Sequence, residues 1–181
     1  MNRVRTALKI TGTFALGVLT GMHLNFSLQT LRTLLALNSA GGLRSRSLLL
    51  REPLTDPPAP AQARRAFALS VGLLRSTARP AELVAAASLV AAWLLSPRGG
   101  RHPYLLLATL PLAAAVGVER LELAGVEYGV RAQAEGEGEA EVNGEAIEVG
   151  MEAWRRWGAV RGGLLGVGFA VSLVGIYGDF M

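Results

Sequence analysis

Cysteine is absent from the 181 residues, which excludes disulfides, thiolate metal sites and a cysteine nucleophile. Histidine occurs only at His23 and His102, with no motif joining the two, and no His/Asp/Glu group has metal-ligand spacing outside one Glu-rich stretch. Lysine is reduced to Lys9 among 18 basic residues, a bias that we read as coding composition rather than as selection for bidentate chemistry. Charge is sparse too, at 18% against 51% hydrophobic residues and a mean hydropathy of +0.36. Such a balance is better read against a bilayer than against water.

Four apolar runs are present, at residues 10–28, 81–95, 103–118 and 159–177. A helix crosses the hydrocarbon core with roughly 20 apolar residues. The outer two suffice, and the middle two are short enough to need flanking residues or a thin membrane. They form a hairpin of two spans or a re-entrant hairpin, turning at Arg98-Gly99-Gly100-Arg101. Pro103 opens the next helix where its missing N–H costs nothing. Pro111 should kink that helix. The first run continues past signal-peptide length, so we expect an uncleaved first helix extending to Leu37.

The formal charge of +4 conceals a segregation. Residues 31–80 carry eight arginines against Glu52 and Asp56, whereas residues 119–152 carry ten glutamates against Arg120 and Arg131. Beyond a proline-rich break at 53–60, residues 61–79 place Arg64, Arg75 and Arg79 on one side of a helical wheel and Phe67, Leu69, Leu73 and Leu74 on the other. That pattern suits a basic amphipathic helix contacting anionic lipid, or one whose apolar side packs on the spans, with Pro80 closing it and opening the second span. Residues 132–150 alternate Glu with Gly, Ala and Asn, lack aromatics and are expected to be a disordered acidic loop.

Gly17 and Gly21, and Gly162 and Gly166, form GxxxG steps for helix packing within the chain or between copies of it. Trp93, Tyr104, Trp154, Trp157 and Tyr177 sit where interface anchors are expected. Catalysis finds little support, because the carboxylates crowd into a flexible stretch that would not hold a pair in productive geometry. The run Gly162 to Gly168 lacks the Lys-Ser/Thr ending of a phosphate loop. Trp157-Gly158-Ala159-Val160 has the aromatic-x-x-aliphatic core of a docking peptide, but two arginines precede it and the aromatic-belt role already accounts for its tryptophan. The expectation is therefore an all-α integral membrane protein of about four helices, not an enzyme, without cofactor or nucleic-acid partner.

Three strings, Lys9 to Gly21, Arg101-His102-Pro103-Tyr104-Leu105-Leu106 and Val174 to Asp179, occur in an order that resembles the fungal autophagy-related protein 33 family. They cover roughly half of the chain and leave residues 38–78 and 119–150 without a counterpart. The resemblance implies a multi-pass protein of the mitochondrial outer membrane that serves selective autophagy of mitochondria. It also implies autophagy proteins as partners, met here through the acidic loop. Two other classes are a small transporter or channel subunit, disfavoured by the near absence of charge in the spans, and a bilayer-shaping protein.

Overall fold

A computed structural model describes residues 3–38, 59–97, 102–135 and 144–179. The described residues form four long helical rods and no strand. Helix α1 covers Arg3–Asn38 and contains a π-helical turn at Phe26–Thr30. Helix α2 covers Ala59–Leu94. Rod α3 joins Tyr104–Leu107, Thr109–Val118, a π-helical turn at Glu119–Leu123 and Ala124–Glu135 end to end. Helix α4 covers Gly144–Gly178.

One repeat explains why four rods make one bundle. Buried residues recur at steps of three and four, as in Ala63, Phe67, Val71, Leu74, Ala78, Glu82, Ala85, Leu89 and Ala92 of α2. In α4 the stripe is Ile147, Met151, Trp154, Gly158, Arg161, Leu165, Gly168 and Ser172. A period near that of the helix itself keeps one seam of each rod facing its neighbours. Each π-turn absorbs an extra residue in that register: α1 steps five residues from Phe26 to Leu31, and α3 takes successive fours through Ala115, Glu119, Leu123 and Glu127.

The rods run up, down, up, down. Gly12 of α1 lies against Leu89 of α2, Gly162 of α4 against Leu24 of α1, and Gly168 of α4 against Ala108 of α3. Helix α1 therefore packs on both α2 and α4, and α4 packs on α3, while α2 and α3 meet less extensively. Two apolar clusters fill the interior. The one nearer the chain termini is built of leucines and alanines, such as Leu16, Ala85, Leu89, Ala108 and Ala115. The other holds the bulkier Phe26, Phe67, Met151 and Trp154.

The surface changes at the same level. Within residues 7–21, 83–95, 106–114 and 160–177 every exposed residue is uncharged. Beyond them the exposed set includes Arg32, Arg65, Arg79, Arg120, Glu122, Glu148 and Arg156. Along α4 the uncharged belt rises about 26 Å, close to the roughly 30 Å of a hydrocarbon core. Two hydroxyls inside it are turned back on their own helix, Thr20 donating to the Leu16 carbonyl at 2.8 Å and Thr109 to that of Leu106 at 2.7 Å. Three helices, Arg3–Asn38, Tyr104–Gly129 and Ile147–Gly178, are long and apolar enough to cross a membrane.

Several expectations change. Pro80 neither ends a surface helix nor opens a span: α2 runs through it, because the buried stripe continues in register on both sides and the exposed ring meets no neighbouring helix. Residues 132–135 and 144–150, expected to be disordered, are helical, since Ile147 and Met151 continue the inward stripe of α4 and are fully buried; residues 136–143 lie outside the described residues. The proline-rich break falls almost wholly outside them as well. Pro111 does mark an interruption, with α3 broken at Ala108 before helix resumes at Thr109.

Candidate functional site

The three strings singled out in the sequence meet at one end of the bundle. Lys9 of α1 places Nζ 2.5 Å from Oδ2 of Asp179, which follows the last turn of α4. The Tyr104 hydroxyl, at the start of α3, donates to the same oxygen at 2.5 Å. His102 Nε2 lies 3.1 Å from Oδ1, and the Lys9 ammonium sits 5.5 Å from the centre of the Tyr104 ring. A side chain at Gly175 would overlap that ring, so glycine is what lets Tyr104 lie flat along α4. Burial alone would raise the Asp179 pKa, but hydrogen bonds from Lys9 and Tyr104, with the charges of Lys9 and His102, hold it below its ordinary value of 3.8.

A second polar layer crosses the middle of the bundle, between the two apolar clusters. Arg161 of α4 is almost fully buried and bridges two carboxylates, Glu82 of α2 and, at 2.6 Å, Glu119 of α3. Arg75 of α2 reaches Glu127 at 2.7 Å and Glu119 at 3.3 Å, and Arg79 approaches Glu119 at 4.0 Å. Three arginines thus face three glutamates drawn from three helices. His23 of α1 is buried beside them, with neither ring nitrogen hydrogen-bonded among the described residues. It lines a cavity of about 10 Å³ with Arg75, Glu119 and Arg161, room for about one water and no substrate.

The predicted site residues fall into place unevenly. A Cβ at Gly17 would stand 3.0 Å from the Phe169 ring and one at Gly166 3.3 Å from Thr20, so with Gly162 these glycines line the α1–α4 contact; Gly21 faces open space. Arg75 points to carboxylates inside the fold, Arg79 is two-thirds exposed, and the apolar side of their helix packs inward through Phe67 and Leu74. Trp154 is not an interface anchor: it is buried, edge-on to Phe26 at 4.9 Å and Phe67 at 6.2 Å, because it lies on the inward stripe. Trp93 is half-buried against the first apolar cluster and Tyr104 is tied to Asp179, while Trp157 and Tyr177 face outward.

Sequence reasoning missed the charged layer. It counted hardly any charge within the spans, yet Glu82, Glu119 and Arg161 stand on inward stripes. The one local signal was their register, three charges at inward positions otherwise filled by small or apolar residues.

No family model matches the chain, and no solved structure matches it. Autophagy-related protein 33 of Gibberella zeae is 28% identical over 202 residues, covering 95% of this chain and 90% of the relative. The similarity, close to full length in both, supports assignment to the autophagy-related protein 33 family.

Proposed function

We propose that this relative of autophagy-related protein 33 is a non-enzymatic, four-pass factor for selective autophagy of mitochondria, residing in their outer membrane. One observation carries the reading: the similarity runs nearly end to end, and the three strings that first suggested it converge on the Lys9–Tyr104–Asp179 cluster. The uncharged belt around all four rods favours four crossings, although α2 is apolar over a shorter stretch than its neighbours. In that arrangement Arg3, Pro97, His102 and Asp179 share one face. Asn38, Ala59, Glu135 and Gly144 share the other, where the bundle projects past the belt; we place this end in the cytosol and the first in the intermembrane space. Partner proteins of the autophagy machinery would be met there.

The buried ion pairs support a scaffolding role, since each charge in the middle layer is matched by another helix and the adjoining cavity is small. Intramembrane charges also mark transport pathways, which keeps a transporter as the second reading. Deleting the gene and following turnover of a mitochondrial matrix reporter under starvation tests the first. Turnover should fall while bulk autophagy continues. Normal turnover in the deletion strain, or solute flux through vesicles carrying the purified protein, would overturn it.

A further inference from the structure

The open seam between α2 and α3 is a groove of about 720 Å³. Its walls within the belt are apolar or small, among them Leu83, Val90, Ala113 and Val116. At its inner end, level with the edge of the belt, stand Arg79 and Arg120, both exposed. Of the two carboxylates that also reach this end, Glu82 is held by Arg161 and Glu119 by Arg161 and Arg75; Arg79 only approaches Glu119, at 4.0 Å, and its side chain stays two-thirds exposed. From Arg79 to Val90 the groove rises about 16 Å, close to one leaflet, half of the roughly 30 Å core. We propose that the seam is a binding site for one phospholipid with an anionic headgroup, its phosphate between Arg79 and Arg120 and an acyl chain along Leu83, Val90, Ala113 and Val116.

Charge complementarity selects this occupant over a second copy of the chain. A second copy would bring its own Arg79 and Arg120 against these two, whereas a phosphate at the belt edge neutralises them. Below the belt α2 and α3 are tied by Arg75 to Glu119 and Glu127, and within the belt an acyl chain lying in the groove would fill the space left between the two helices. This inference rests on the four-pass reading.

The test uses full-length protein in nanodiscs of phosphatidylcholine, doped with either phosphatidylglycerol or phosphatidylcholine bearing a photoreactive acyl chain. Crosslinks are mapped by mass spectrometry. Phosphatidylglycerol should label Leu83, Val90, Ala113 and Val116 more strongly than Phe14 and Val167, which face lipid elsewhere on the belt. Each arginine should contribute about a fivefold preference for the anionic lipid, as expected of a cation near a charged surface. Arg79→Gln with Arg120→Gln should abolish the preference while labelling of Phe14 and Val167 persists, and Ala113→Trp should fill the groove and remove its labelling altogether. Equal labelling around the belt, indifference to the headgroup, or crosslinks joining the grooves of two chains would overturn the proposal. Loss of labelling at Phe14 and Val167 as well would instead overturn the membrane reading beneath it.

Discussion

Arg161 and Asp179 each concentrate several interactions on one side chain. Removing one partner of a buried ion pair leaves the other uncompensated, at a cost of about 3–5 kcal/mol, whereas replacing the whole set by apolar groups is often neutral. Arg161→Met should therefore lower the unfolding midpoint in detergent sharply, and adding Glu82→Gln and Glu119→Gln should recover most of the loss. A variant as stable as wild type would show that the bridge holds nothing together. Asp179→Asn should also destabilise, by about 3 kcal/mol, through the stranded Lys9. Because the folded carboxyl titrates below its ordinary 3.8, its contribution is present above that value and lost as pH falls through the lower folded pKa. The gap in midpoint between wild type and Asp179→Asn should accordingly be full at neutral pH and close in acid. Neither cluster was legible in the sequence. Arg75 looked like a lipid contact because its carboxylates, Glu119 and Glu127, come from a helix far along the chain, and a wheel drawn for one helix cannot show a partner on another.

Glycine steps read from a single helix identify a surface that permits close approach without saying which members use it. Of the two GxxxG steps, α4 directs both glycines at α1, but α1 directs only Gly17 at α4, since the seam follows the helical repeat and Gly21 lies off it. A methyl at Gly162 would stand 2.8 Å from Leu24 Cδ2. Gly162→Ala should cost about 1–3 kcal/mol through overpacking. Gly21→Ala meets nothing within 4 Å and should be neutral or stabilising by up to about 1 kcal/mol from helix propensity. Thermal midpoints of the two variants settle the comparison, and equal effects would refute the packing. The same repeat was available in α4 from Ile147 onward, but the glutamates around it disguised an inward stripe as a disordered tract. Trp154 was misplaced for the same reason: its neighbours Arg155 and Arg156 suggested a membrane surface, while its spacing from Ile147 and Met151 pointed into the core.

At the scale of the whole molecule the decisive quantity is where water ends. The rods are longer than an apolar core is thick, α4 alone rising about 52 Å, so any rod that crosses a membrane would lie partly in lipid and partly in water. Composition located four apolar runs, at 10–28, 81–95, 103–118 and 159–177, and the uncharged belt covers residues 7–21, 83–95, 106–114 and 160–177. It did not show that the same helices continue as a second, aromatic-cored half, because the polar faces there average out the apolar stripe. The absence of cysteine gives a clean background for locating the border. Single cysteines at Leu83 and Val167, exposed in the belt, should resist a membrane-impermeant maleimide until detergent is added. Cysteines at Ser76 and Glu148, exposed on the projecting half, should react in intact mitochondria if that half faces the cytosol. Reaction at Ser76 and Glu148 only after the outer membrane is opened would reverse the orientation and preserve the four crossings. Reaction at Leu83 without detergent would remove α2 from the membrane, leaving the three crossings that length and hydropathy alone support.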